Sequence, residues 1–139
     1  MATATAFRMT SMSNSKSVIV TGGASGIGLA MTRHFASQGH RVAIFDVNAQ
    51  SGETSASQVA AEYPQATITF KKCDVSSWEE LSAAFKEIYL GAGRIDVVMA
   101  NAGITGASGI GHDMAAEDEP LKPSTRTLDV NLVSVIYCE

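Results

Sequence analysis

Nowhere do the residues run apolar for the ~20 positions that a membrane-spanning helix needs, and no membrane partner is expected. Charge is also scarce. Charged residues make up 17% of the chain against 45% hydrophobic, which excludes a disordered or strongly solvated polypeptide. The formal net charge of −4 leaves no basic field, so nucleic acid is set aside as a partner. There are two cysteines, Cys73 and Cys138. They lie far apart and match no C-x-x-C pattern, which argues against a disulfide scaffold and fits a reducing compartment. His34, His40 and His112 show no ligand spacing, so no metal site is expected. No internal repeat of roughly 20–50 residues is visible.

What remains is an ordinary globular composition on a chain of 139 residues, the length of one domain. Residues 1–16 stand apart: rich in Ser, Thr and Ala, with Arg8 and Lys16 and no acid. That composition belongs to a disordered tail, with a transit peptide as the alternative; the compartment expected is the cytoplasm, with the mitochondrion second. From residue 17 on, strand patterns alternate with helical ones. Strands are expected at 17–21, 41–46, 67–72 and 95–100. Helices are expected at about 26–38, 49–62 and 77–90, and a last one starts near Ser124 after a small, polar loop. Ile27, Met31 and Phe35 mark an apolar face on the first helix. Trp78, Leu81, Phe85 and Ile88 mark one on the third, with Ser76 or Ser77 as its N-cap. Leu128, Leu132, Val135 and Ile136 mark one on the last. The alternation predicts an α/β fold, a Rossmann-type doubly wound parallel sheet with strand order 3-2-1-4. Ligands bind such a sheet at the C-terminal ends of its strands.

Four features fall at those ends. Thr21-Gly22-Gly23-Ala24-Ser25-Gly26-Ile27-Gly28 joins the first strand to the first helix. Glycines there let the backbone approach a pyrophosphate, and the helix N-terminus offers N–H groups and partial positive charge. Asp46 ends the second strand, where a carboxylate accepts both ribose hydroxyls of NAD and repels a 2′-phosphate. Neither Ser25 nor Val47 supplies a base for that phosphate. Cys73-Asp74-Val75 follows the third strand, facing the adenine, and Asn101-Ala102-Gly103 follows the fourth, where small residues bring the backbone close to a cofactor. Each feature alone has a plainer reading: a tight turn, a cap of the second helix for Asp46, a cap of the turn into the third for Asp74, turn chemistry for Asn101. Their joint placement in register is what a dinucleotide site requires.

In the combination of these residues the chain resembles the short-chain dehydrogenase/reductase family. Thr21-Gly22, Gly26-Ile27-Gly28, Asp46, Cys73-Asp74-Val75, Asn101-Ala102-Gly103 and Val130-Asn131-Leu132 carry the likeness. Ala100 departs from it, since the family often has a second Asn there. The segment Asn131–Ile136 is similar to the 15-hydroxyprostaglandin dehydrogenase branch. The resemblance implies an NAD-dependent oxidoreductase acting on a secondary alcohol or ketone, with NADP less favoured. It implies cofactor contacts at Gly22, Ser25, Gly26, Ile27, Gly28, Asp46, Val47, Cys73, Asp74, Val75, Asn101, Ala102 and Gly103. It makes Asn131 the helix asparagine that holds a water in the proton relay; a purely structural bond to backbone is the equal alternative.

Family members complete their chemistry with a Ser and a Tyr-x-x-x-Lys pair, because an unperturbed phenol with pKa about 10 needs help near neutral pH. No tyrosine here has a lysine four residues on; Tyr63, Tyr89 and Tyr137 all lack it. The chain is therefore read as a tail (1–16) and an incomplete cofactor-binding domain (17–139), truncated after the fourth strand and the following helix, and inactive by itself. The complete protein would be a homodimer or homotetramer joined through the last helix. The rival readings are a non-catalytic dinucleotide-binding module and a dimerising interaction protein.

Overall fold

The computed structural model describes residues 15–105 and 125–139. Of the tail expected over residues 1–16, residues 1–14 lie outside the described residues. So does the loop of residues 106–124, with His112, Glu117, Asp118, Glu119 and the helix start at Ser124. Ser15 and Lys16 already join the sheet: the Ser15 hydroxyl donates to Gly39 O at 3.0 Å, and Arg41 N–H donates to Lys16 O at 2.9 Å.

The elements are β1 (Ser17–Thr21), α1 (Gly26–Ser37), β2 (Arg41–Asp46), α2 (Ala49–Glu62), β3 (Thr67–Lys72), α3 (Trp78–Ala92), β4 (Val97–Met99), α4 (Arg126–Leu128), a π-helical turn (Asp129–Val133) and α5 (Ser134–Tyr137). The four strands form one parallel sheet in the order β3-β2-β1-β4. This is the α/β doubly wound architecture that the alternating pattern predicts.

The central strand shows why its sequence is apolar throughout. All five residues of β1 are buried, since strands flank it and helices cover both faces. Alternation then sorts the core into two layers. Ile19, Ala43 and Phe45 meet Leu81, Ala84, Phe85 and Ile88 of α3, and the Phe45 and Phe85 rings meet edge to face at 5.9 Å. Val18, Val20 and Val42 meet Met31 and Phe35 of α1 on the other face. Fully burying one side chain such as Ile19 or Ile44 contributes roughly 1.5–3 kcal/mol.

Several expectations shift in detail. Ile27 is 70% exposed, because α1 turns Gly28, Thr32 and Ala36 onto the sheet. Small residues on that face bring the helix axis close to β1, and Met31 and Phe35 pack beside it. Trp78 is 52% exposed and not in the core; as the first residue of α3 it packs on the Tyr137 ring, 5.4 Å away. Ser77, not Ser76, caps α3, accepting from Glu80 N–H at 3.3 Å. Gly93 ends that helix, with φ 75°.

The strand expected over 95–100 shortens to Val97–Met99 because side chains take its terminal ladder positions. Asp96 Oδ2 accepts Ser17 N–H at 2.8 Å at one end. The Thr21 hydroxyl accepts Asn101 N–H at 3.0 Å at the other. The outer edge of β4 has no partner strand among the described residues. Leu128, Leu132, Val135 and Ile136 are exposed, while Val130 and Ser134 turn inward.

Candidate functional site

The C-terminal ends of the strands are tied together through one threonine and one asparagine. Thr21 Oγ1 accepts the N–H groups of Asn101 and Ala102, at 3.0 and 3.1 Å. Asn101 Nδ2 donates back to Thr21 O at 3.1 Å. β1 and β4 therefore end at the same level, with the glycine turn and the Asn101–Gly103 segment face to face. The approach is close enough that a Cβ on Gly22, whose φ is +64°, would lie 2.9 Å from Ala102 Cα. Glycine is required there on both counts.

The second strand holds the turn from the other side. Gly22 N–H donates to Phe45 O at 2.7 Å. Asp46 then divides its carboxylate: Oδ2 accepts from Ala24 N–H at 3.2 Å and Oδ1 from Asn48 N–H at 3.0 Å. It does not cap α2; Asn48 does, accepting from Ser51 N–H at 3.0 Å. Each carboxylate oxygen keeps a further lone pair. Past the turn, Ser25 stands at the N-cap of α1 but makes no side-chain capping bond, and no acid lies in the first turn. The helix start thus keeps its partial positive charge directed at the groove.

Asp74 is shaped by its own turn. Its Oδ1 accepts from the Ser76 hydroxyl at 2.6 Å and from Ser76 N–H at 3.0 Å. The Ser76 hydroxyl bond, above all, holds this carboxyl below the usual range, and the Arg126 guanidinium adds to the effect. It caps no helix. Cys73 beside it is buried, and its thiol is pushed up to about 11, mainly by that burial and then by the charges of Glu80 and Asp74. It stays protonated at neutral pH and serves as apolar floor.

These groups surround one groove of about 320 Å3. The structure brings to it all the cofactor-contact positions expected from the sequence, from Gly22 through Gly103, together with Ile104, Arg126 and Val130. Those three were not anticipated. Ile104 and Val130 adjoin the motifs, so adjacency could have found them. Arg126 had no local signal, since only the docking of the last helical segment brings it to the groove. It lines the same groove as Asp46 and Val47, and its charge reaches Asp74.

Asn131 does not line the groove. Its carboxamide is spent on the backbone of Ile104, with Oδ1 accepting from N–H and Nδ2 donating to C=O, both at 2.8 Å. It sits in the π-helical turn, where Ser134 N–H reaches back five residues to Asp129 O. That releases Val130 O, the partner an α-helix would have given it, and the Ser134 hydroxyl takes this oxygen at 2.5 Å.

Among the described residues, no helix is long and apolar enough to cross a membrane.

The short chain dehydrogenase family profile matches residues 16–139, and the chain belongs to that family. An NADP-dependent dehydrogenase from Cochliobolus lunatus is 36% identical over 127 residues, which cover 88% of this chain and 43% of the relative. Among solved structures, the NADPH-dependent 3-quinuclidinone reductase from Rhodotorula rubra superposes with TM-score 0.73 at 30% identity, over 88% of this chain and 44% of that one. An NAD+-bound xylitol dehydrogenase superposes with TM-score 0.74 at 27% identity, over 88% and 44%. The chain thus spans less than half the length of these relatives. None of the three speaks for the prostaglandin dehydrogenase branch.

Proposed function

We propose that this chain supplies the adenine and pyrophosphate half of a nicotinamide-dinucleotide site in a short-chain oxidoreductase acting on a secondary alcohol or ketone. The observation that carries the reading is the convergence of four strand-end segments on one groove, at the N-terminus of a helix whose first turn holds no acid. The residues fit such a group. Gly22 and Gly28 leave room where a side chain would fill the turn. The start of α1 suits a pyrophosphate, Asp46 suits the ribose hydroxyls, and Asp74 with Val75 suits the adenine. When bound, the nicotinamide ring gives or takes the hydride. This chain's own part is to bind and orient the other half of the dinucleotide. Asn131 is proposed to serve the proton relay of the whole enzyme from its place on Ile104, which fixes the segment after β4.

Of the two dinucleotides, NAD is the reading we favour. A 2′-phosphate placed at the end of β2 would meet Asp46, and two unit charges 4 Å apart repel by about 1 kcal/mol in water and about 4 kcal/mol at a protein surface. Arg126 in the groove wall supports the second reading, NADP, as does the NADP or NADPH dependence of two relatives. Fluorescence titration of the full chain with NADH and with NADPH decides. Tighter NADH binding by about tenfold, abolished in Asp46→Ala, is the expected result. Equal or tighter NADPH binding, lost in Arg126→Ala, would establish the second reading, and binding of neither would overturn both.

A further inference from the structure

We infer that Ser55, on α2 and outside every motif of the groove, is a positioning residue that aims the Ser25 N–H at the ligand's phosphate; this rests on the dinucleotide reading above.

Ser55 is an odd residue for its place. It is 6% exposed in the middle of a helix, where serine has no propensity advantage and a buried hydroxyl is costly unless bonded. Mid-helix serines commonly bond back to the carbonyl four residues earlier. Ser55 instead donates to Ala24 O at 2.9 Å, in the glycine turn, 31 residues away in sequence.

Ala24 is therefore gripped at both ends. Asp46 Oδ2 takes its N–H and Ser55 Oγ takes its C=O. Ala24 is itself 5% exposed, so neither group is left to water. The consequence follows from the planarity of the next peptide. Ala24 C=O and Ser25 N–H belong to one peptide unit, there are no cis bonds among the described residues, and in a trans unit the two groups point in opposite directions. With the carbonyl fixed toward α2, the Ser25 N–H is fixed away from it. Ser25 and Gly26 are exposed and line the groove on that side. The hydroxyl of Ser55 thus sets the direction of a donor that it does not touch.

The test separates phosphate recognition from general support of the fold. The full chain and its Ser55→Ala and Ser55→Thr variants are titrated with NADH, with ADP and with adenosine, which has no phosphate. Ser55→Ala should bind NADH and ADP about tenfold more weakly, the scale of one buried hydrogen bond, and adenosine within about twofold of the parent chain. Ser55→Thr, which restores the donor, should recover NADH and ADP binding. Unchanged NADH affinity in Ser55→Ala would overturn the inference, and so would equal losses for NADH and adenosine, which mark a merely structural role. If Ser55→Ala does not fold, Ser55→Cys, similar in shape with a feeble donor, replaces it. A several-fold selective loss there supports the inference, and parental NADH affinity overturns it. Failure of the parent chain itself to bind NADH or ADP overturns the dinucleotide reading instead, and is distinguishable from every variant result.

Discussion

Gly26 and Gly28 lie two residues apart in the same turn, yet alanine should affect them in different ways. At Gly26 the backbone is left-handed, with φ +50°, and a Cβ would meet nothing within 4 Å. Only the conformational term opposes the substitution, at roughly 1–2 kcal/mol. At Gly28 a Cβ would lie 2.1 Å from Gly22 O and 2.6 Å from Asn101 Nδ2. Ordinary contact for a carbon is about 3.5 Å, so more than an ångström must be found. One neighbour is backbone, and the other is an amide already bonded to Thr21 O. To make room, α1 must lift from β1, where Thr32 and Ala36 are fully buried. Overpacking of this kind costs typically 1–3 kcal/mol, and the upper end applies where backbone must move. Alanine's helix propensity returns about 1 kcal/mol of that. The net loss, roughly 2 kcal/mol, is a large share of a typical domain stability of about 5–15 kcal/mol. At an m-value of about 2 kcal/mol/M it lowers the urea midpoint by roughly 1 M. Dinucleotide binding should fall as well, because the turn itself is displaced. The crowding a side chain causes at this position is therefore first between the helix and the Gly22 carbonyl and Asn101. Urea melts followed by circular dichroism, with NADH titration of the folded variant, check both effects. A folded Gly28→Ala variant with parental midpoint and parental NADH affinity would refute the close-packed account of this turn.

Other perturbations test other joints of the structure. Asn131→Leu removes both bonds to Ile104 and should cost about 1–3 kcal/mol, with Ile104 amide exchange accelerated well beyond that of β1; parental exchange at Ile104 would show that the carboxamide does not hold the segment. Stability should fall toward both ends of the pH scale. Asp74, held below its unfolded value of about 3.9, contributes fully above that pH, and its contribution is lost as pH falls through the lower folded value. The raised Cys73 thiol works the opposite way, contributing fully below 9.0 and losing its contribution as pH rises through about 11. Ser76→Ala, which removes the main cause of the Asp74 shift, should lower stability above the unfolded value of about 3.9 and so flatten the acid limb of a urea-midpoint profile; superimposable profiles would contradict that cause.

The strands were legible to the residue in three of four cases: β1 and β2 because a parallel strand buried on both faces is a continuous apolar run with polar or glycine ends, whereas the edge strand β3 alternates Ile68 and Phe70 with polar residues. Val18–Val20 and Val42–Phe45 can hardly be anything else. The fourth was misjudged by its ends, where Asp96 and Thr21 substitute side-chain bonds for the ladder. Such substitution has no signature in a hydrophobic pattern. The helical faces were read less well. Periodicity favours the large apolar residues Ile27, Met31 and Phe35, whereas α1 docks through Gly28, Thr32 and Ala36. Small residues at a close helix–strand contact look like gaps in a pattern. The groove residues were legible because they sit at strand ends, whose positions the pattern already shows. Ser55 and Arg126 were not, since the fold brings the one to the turn and the other to the groove wall from remote segments.

The polar atoms of this turn follow one rule. A backbone that binds phosphate must keep N–H groups directed at the ligand, and a turn with unpaired groups elsewhere as well would be too costly to hold its shape. The turn meets that condition from three directions. From β4, Asn101 takes up the carbonyls of Thr21 and Gly22. From β2, Phe45 O accepts the N–H groups of Gly22 and Gly23, and Asp46 accepts that of Ala24. From α2, Ser55 takes the Ala24 carbonyl. Within the helix, Thr32 takes the Gly28 carbonyl at 3.0 Å. No buried side-chain nitrogen or oxygen among the described residues is left without a partner. The N–H groups at the start of α1 lie beyond this set of bonds, next to Ser25 and Gly26 on the groove wall. Rigidity on three sides and donors on the fourth is the condition for recognising a phosphate without first ordering the loop that binds it.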